Sequence, residues 1–215
     1  ELGSKYTFDV GGMRGIFNVA AFYNDFTNQQ LQVGFVRLDL PAAPTAAPLN
    51  IGASEIYGAE VQASIQPIDG LTLSLDYTYL NTEVLELEDF SALVAGAGAT
   101  PAALSTSEGE ELPYSPQNQA VVNARYSVPV PADYGDVEFG ATYVYFSDQL
   151  AVSETVSPMN ELDSYDLVNF NVNWNSIAGG AVDGSLFVTN AFDEEYEVYR
   201  SGLWGVGGFE TGMTG

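Results

Sequence analysis

The stretch Leu71-Thr72-Leu73-Ser74-Leu75-Asp76-Tyr77-Thr78-Tyr79 puts an apolar or aromatic residue at every odd position and a polar one at every even position. A period of two belongs to a β-strand, whose successive side chains leave the backbone on opposite sides, so this strand has one apolar and one wetted face. The same rhythm precedes it, with Tyr57, Ala59, Val61, Ala63 and Ile65 set against Gly58, Glu60, Gln62, Ser64 and Gln66. Between the two runs lies Pro67-Ile68-Asp69-Gly70, a turn composition in which Gly70 supplies a left-handed residue. A three-residue loop Ile68-Asp69-Gly70 joining Pro67 to Leu71 predicts a register: Gln62 opposite Asp76 and Glu60 opposite Thr78 on the polar face, Val61 opposite Tyr77 and Ala59 opposite Tyr79 on the apolar one.

The pattern recurs outward from this hairpin. Val168, Phe170, Val172 and Trp174 alternate with Asn169, Asn171, Asn173 and Asn175, four amides that a dry core would accommodate only at a cost. Val137 to Tyr145 and Ala120 to Val128 alternate too, the latter with Arg125 on its polar side. Phe17 to Tyr23 follows with Phe22 as an exception, Leu186 with Val188 is short, and Lys5 to Val10 is weak. The sum is about eight strands. All ten prolines fall between these runs, where a missing N–H harms no ladder. Connections alternate between short (Val10–Met13, Pro67–Gly70, Pro129–Asp136, Ile177–Gly184) and long (Val36–Ser54, Leu85–Gln117, Gln149–Asp163). Strands joined this way run antiparallel, up and down, with the long loops at one end, which is the layout of a β-barrel wall.

Composition excludes several functions. The 215 residues hold 5 Lys+Arg against 29 Asp+Glu, a net charge of −24, so a nucleic-acid partner is not expected. Aromatics at 13% and hydrophobics at 46% carry more apolar surface than a disordered chain. With no Cys and no His there are no disulfides, no thiolate or imidazole metal sites and no imidazole base. There is also no Gly-x-Ser-x-Gly and no phosphate loop, so the expectation is a protein that is not an enzyme and needs no cofactor. Glu60 with Asp76 could pair for glycoside hydrolysis, but a hydrated wall uses such residues anyway. Glu83, Glu86, Glu88, Asp89, Glu108, Glu110 and Glu111 form an acidic run interrupted by a flexible Ala/Gly tract from Gly96 to Leu104. Calcium needs oxygens converging at short spacing, so the run reads as a solvated outer loop. No apolar run is long enough for a spanning helix, and the opening Glu1-Leu2-Gly3 has no leader-like segment, so the chain reads as a piece of something longer.

Alternation alone does not say whether the apolar face meets lipid or a protein core. A soluble ligand-binding β-sandwich and a membrane barrel both fit it. The run lengths match the ~9–11 residues a tilted strand needs to cross a bilayer. Tyr57, Tyr79, Tyr143 and Tyr145 fall at the long-loop end and Tyr126 with Trp174 at the other, as two aromatic girdles would. The wet face is rich in amides and hydroxyls, making Glu60, Gln62, Asp76, Arg125, Asn169, Asn171 and Asn173 candidates to line a lumen, with Arg125 free to meet an acid across it. The expected fold is therefore all-β, an antiparallel up-and-down transmembrane β-barrel wall.

Tyr57-Gly58-Ala59-Glu60-Val61, continuing through Gly70-Leu71-Thr72-Leu73 to Tyr77-Thr78-Tyr79, resembles barrel strands of the TonB-dependent outer-membrane receptors. Leu112-Pro113-Tyr114-Ser115-Pro116 looks like the prolines leading into a later strand. Thr189-Asn190-Ala191-Phe192-Asp193-Glu194-Glu195-Tyr196 is similar to that family's Asn-Leu-Phe-Asp-x-x-Tyr signature, with Ala191 departing where Leu is usual. The resemblance covers nearly all strands and none of the long loops. It implies that residues 1–215 are the C-terminal part of a barrel of about twenty-two strands, without its plug domain, its TonB box or its final strand. It makes Gly212 to Gly215 an outer loop, and gives Asn190, Phe192, Asp193 and Tyr196, with neighbouring Glu197, a structural rather than a metal-binding role. Implied partners are outer-membrane lipid, the plug and remaining strands, and the TonB complex; the implied location is the outer membrane of a Gram-negative cell. The implied function is energised import of a large scarce nutrient such as a ferric siderophore. An independent eight-stranded barrel with a structural or adhesive role is the alternative.

Overall fold

A computed structural model describes residues 1–39, 44–104, 106–153, 160–203 and 209–214. The alternating runs form β1 (Leu2–Val10), β2 (Met13–Arg37), β3 (Pro44–Ile68), β4 (Leu71–Leu87), β5 (Ala99–Leu104), β6 (Asn118–Val128) and β7 (Asp136–Phe146). Short β8 (Gln149–Leu150) and β9 (Glu161–Leu162) follow, then β10 (Tyr165–Asn175), β11 (Gly184–Val188), β12 (Glu197–Leu203) and β13 (Phe209–Thr214). The one α-helix among the described residues is α1 (Ser91–Gly96). The main sheet runs β1-β2-β3-β4-β6-β7-β10-β11 with β5 added to β2, while β8–β9 and β12–β13 pair separately. Every pairing is antiparallel. The chain is thus an all-β, up-and-down barrel wall of eight strands. β1 and β11 are not paired with each other, so these strands do not close into a small barrel of their own.

The hairpin that sets the register is as the alternation requires: Glu60 faces Thr78, Val61 Tyr77, Gln62 Asp76 and Ala59 Tyr79. Its turn is tighter than a three-residue loop. Ile68 pairs with Leu71, and the extra residue is absorbed by a register shift between Ile65 and Ile68. Pro67, which has no N–H to give a ladder, lies in the shift. Gly70 has φ +81°, and a Cβ there would stand 2.5 Å from the Ser127 carbonyl oxygen, so both backbone and space demand glycine. Phe22, the apolar exception on its strand, lies directly opposite Gly58, and a Cβ on Gly58 would stand 2.8 Å from its ring. Phe8 covers Gly15 in the same manner. An aromatic ring over a strand glycine restores the apolar contact that the glycine cannot make.

Four expectations need correction, chiefly at the long-loop end. The connection Val36–Ser54 is mostly strand: β2 continues to Arg37 and β3 starts at Pro44, pairing as far as Val36 with Pro44. Pro44, Pro48, Pro67 and Pro101 therefore lie inside strands. Pairing of β3 with β4 stops at Gly52 with Leu87, so Pro44 and Pro48 sit where β3 is an edge strand and a missing donor is tolerated. The Ala/Gly tract from Gly96 to Leu104 ends α1 and forms β5. Gly212 to Thr214 belong to β13 rather than to a loop, and Gly215 lies outside the described residues.

The core lies at this end too. Buried apolar side chains are Leu31, Val33, Ile51, Val84, Val94, Ala99, Leu150, Ala151, Val152 and Leu162, with Leu49, Leu87 and Phe90 packed on the first three. In the wall itself Phe139 is 50% exposed, Phe170 46% and Val122 40%, and no second layer among the described residues covers them. A sandwich would bury these residues first. Because β3 occupies one edge of β2 up to Val36, β5, which pairs with Val33–Arg37, takes the other edge, the one β1 uses lower down. The segment after β4 therefore crosses the extended β2–β3 hairpin and fastens on its far side, with Glu88 N–H donating to the Ile51 carbonyl and Leu38 N–H to that of Gly98.

Candidate functional site: the two faces of the wall and its mouth

Register carries the polar residues to one face. Across that face Asn18, Gln62 and Asp76 form one row, with Gln62 accepting a bond from Asn18 at 3.4 Å. Glu60 stands beside Ala20 and Thr78, one same-face position nearer the long loops. Nearer the short turns, Thr142 Oγ1 donates to Asn123 Oδ1 at 2.8 Å and Asn123 Nδ2 to Ser74 Oγ at 3.3 Å, a relay over three strands. Asn169 lies opposite Thr142, Asn171 opposite Gly140, and Asn173 opposite Glu138, with Ser185 Oγ donating to Asn173 Oδ1 at 2.9 Å. Arg125 is opposite Thr72 and Gly140 and meets no acid among the described residues. Asn18, Ser74, Asn123 and Thr142 were not singled out from sequence, although the same period of two marks them.

The opposite face holds Tyr57, Tyr79, Tyr143, Tyr145, Tyr126 and Trp174. Tyr57 is level with Tyr23; Tyr79 is level with Ala59, one same-face position lower; Tyr145 is level with Ala120 and so with Tyr77, lower again; Tyr143 is level with Val122. This stepwise descent is the offset that tilted strands need if their rings are to stand at one depth. Tyr126 and Phe139 share a lower row, and Trp174 is one same-face position below it, donating its Nε1–H to the Tyr134 carbonyl at 2.7 Å.

The signature segment is a bracket. Asn190 (φ +48°) and Asp193 (φ +57°) take left-handed conformations that Asn and Asp tolerate. Asn190 Nδ2 donates to the Glu194 carbonyl and its Oδ1 accepts from Glu194 N–H, both at 2.9 Å, while its own N–H donates to Asn169 Oδ1 at 2.8 Å. Tyr196 stacks on Tyr165 at 4.3 Å and Tyr165 on Phe146 at 5.2 Å, while Phe192 is 75% exposed. Phe146 and Tyr165 lie on the polar face, so an aromatic rail rises there toward the mouth. Sequence reading missed it because it followed only the apolar parity of β7.

At the mouth, segments from different loops lock together. Ser107 N–H donates to Glu110 Oε2 at 2.8 Å, Ser153 Oγ to Glu110 Oε1 at 2.9 Å, and Leu112 N–H to Thr82 Oγ1 at 2.9 Å. Tyr114 O–H donates to the Arg200 carbonyl at 2.6 Å and its ring stacks on Tyr199, while Arg200 pairs with Glu197. Among the described residues no three acidic side chains converge to hold a metal ion. Burial, and then the carboxylates of Asp148 and Glu161, push the Glu111 carboxyl above its ordinary range. A carboxyl raised in the docked state takes up its proton more readily there, so docking is weakened above that raised value and regained as pH falls through it. Glu111→Gln is expected to slow proteolysis of residues 106–116 at neutral pH, with the difference from wild type disappearing below about pH 4, the ordinary Glu range.

The family model described as TonB dependent receptor-like, beta-barrel, matches residues 1–190. The chain belongs to the TonB-dependent receptor family. Among solved structures, the ferric yersiniabactin uptake receptor FyuA from Yersinia pestis is 14% identical, with TM-score 0.66 over 99% of this chain and 27% of that one. The ferric-catecholate import receptor Fiu from E. coli K12 is 17% identical, with TM-score 0.59 over 99% of this chain and 25% of that one. The siderophore receptor PiuA from Acinetobacter baumannii is 20% identical, with TM-score 0.59 over 94% and 26%. At such identities the likeness is one of fold. This chain spans about a quarter of the length of these receptors. No curated protein sequence matches it. The family and these neighbours are transport receptors, not enzymes.

Proposed function

We propose that this TonB-dependent receptor segment is barrel wall in the outer membrane of a Gram-negative cell. The whole receptor imports a large scarce nutrient, such as a ferric siderophore, with energy delivered through the TonB complex to parts outside these 215 residues, the plug domain among them. In this reading Phe139, Phe170 and Val122 meet acyl chains. Tyr57, Tyr79, Tyr143 and Tyr145 form the outer girdle, and Tyr126 with Trp174 the inner one. Glu60, Gln62, Asp76, Arg125, Asn169, Asn171 and Asn173 line the lumen. The observation that carries the reading is the uncovered apolar face backed by a polar one rich in amides. Lipid satisfies the first and water the second, whereas bulk solvent would leave that much apolar area exposed. The named ligands of FyuA, Fiu and PiuA support an iron chelate as the cargo class.

The chain has no cysteine, so single cysteines report cleanly. In the full receptor in membranes, Asn171→Cys is expected to react with a water-soluble maleimide and Phe170→Cys to resist it, whereas after labelling with a membrane-permeant fluorescent maleimide Phe170→Cys is expected to be quenched by a lipid-borne spin label and Asn171→Cys is not. The reverse pattern overturns the barrel reading. Deleting the gene is expected to abolish energised uptake of at least one iron chelate; unchanged uptake of every chelate class overturns the cargo assignment.

A further inference from the structure

The apolar face of the wall is not evenly padded. Ala124 lies directly opposite Ala141, whereas the row above sets Val122 against Tyr143 and the row below sets Tyr126 against Phe139. Phe170 stands beside Ala141 on β10, and Leu73 beside Ala124 on β4. Two methyl groups surrounded by long side chains leave a recess of about 260 Å³, walled by Leu71 and the rings of Tyr126, Phe139 and Phe170. At ~30 Å³ for a group the size of water, it holds about eight methylenes, a stretch of a single acyl chain. A chain lying in it gains contacts on three sides that chains passing a flat part of the face do not have.

Depth selects the leaflet. Ala141 is four residues from Val137, the partner of Trp174, which at the rise and tilt of barrel strands is roughly 10 Å above the short-turn girdle. A lipid anchored at that girdle reaches the recess with the first half of its chain. Charge selects the headgroup. The short turns below carry Asp69, Asp133 and Asp183, all exposed, and residues 67–70, 129–135 and 176–183 include no Lys or Arg. Arg14, at the β1–β2 turn, is paired with Asp9, and Arg125 lies on the other face. An anionic headgroup is repelled by such a rim and an ammonium group is drawn to it. We propose that the recess over Ala124 and Ala141 seats one acyl chain of a periplasmic-leaflet phospholipid whose headgroup carries an ammonium, as in phosphatidylethanolamine. The proposal rests on the membrane reading above.

The test uses the full receptor in bilayers of phosphatidylethanolamine and phosphatidylglycerol in equal parts, with a diazirine-bearing acyl chain carried by one or the other. After illumination, insertion into β6 and β7 is expected to be roughly fivefold stronger from phosphatidylethanolamine, while Val19 and Ala21 of β2, remote from the recess, label equally from both. Ala124→Leu and Ala141→Phe fill the recess from the lipid side. Each is expected to assemble normally, judged by the compact band before heating, and to bring β6 and β7 down to the β2 level. Asp69→Asn combined with Asp133→Asn is expected to abolish the headgroup preference. A photoreactive phenylalanine analogue at position 139 is expected to gain the mass of one phospholipid. Uniform labelling along the face overturns the proposal, as does an excess that survives both alanine variants. Equal labelling of β6 and β7 by the two lipids, or a preference unchanged in the Asp69→Asn, Asp133→Asn receptor, overturns the ammonium headgroup. Capture of a polypeptide at position 139, a second copy of the receptor included, overturns lipid as the occupant. No insertion into any apolar-face residue overturns the membrane reading itself, and this inference with it.

Discussion

Val122→Arg is expected to cost the assembled barrel about 2–4 kcal/mol, the penalty for a cation facing lipid near the bilayer midplane. Asn123→Arg, one residue on and facing the other way, is expected to assemble normally. Val122 is 40% exposed on the apolar face, level with Leu75 and Tyr143, whereas Asn123 lies in the hydroxyl–amide relay between Ser74 and Thr142. Losing that relay costs little where water can replace each bond. The measurement is the fraction of receptor running as a compact band before heating and its urea midpoint in membranes. Equal losses in both variants would mean that the two faces do not differ in solvent.

Gly135→Ala is expected to be nearly as damaging although it adds one methyl group. Gly135 has φ +86° and ψ −162°, a region that in practice only glycine enters, and it is buried. A Cβ there would overlap the carbonyl oxygens of Asn175 and Ser176, because the β6–β7 turn nests against the β10–β11 turn. Strain and overpacking contribute about 1–3 kcal/mol each, so a loss on the order of 3 kcal/mol is expected. Gly179→Ala separates the two causes. Its φ is +71°, but the closest atom to a new Cβ is 3.7 Å away, so it should show only the smaller, conformational share. If both variants lose equally, the nesting of the turns contributes nothing.

What could be read in advance follows from how local its cause is. Period-two alternation is enforced residue by residue, and it gave eight wall strands and the pairing of Gln62 with Asp76. Once that parity was known, Asn171 and Phe170 had to face opposite ways. The bulge at Pro67 and the ring of Phe22 over Gly58 depend on which residue stands across the ladder, and both were invisible along one strand. The mouth depends on contacts far apart in the chain. Nothing in Ala99-Thr100-Pro101 announces a strand, since β5 exists only because β2 offers an open edge to it. The bond from Tyr114 to Arg200 spans 86 residues and leaves no local trace. Arg125 was legible as lying on the polar face, but that it has no acid opposite required the register of β6 with β7.

The crossing segment that ends in β5 also limits its surroundings. β1 follows the free edge of β2 as far as Leu2 opposite Ala21, and β5 takes possession of that edge at Val33. Any neighbour climbing alongside β2 from the bilayer therefore meets a ceiling at Gln32 and must turn back beneath it. The upper part of β2 is thus sealed on both flanks, by β3 on one and β5 on the other, where the β2–β3 hairpin rises past the last pair of β3 with β4.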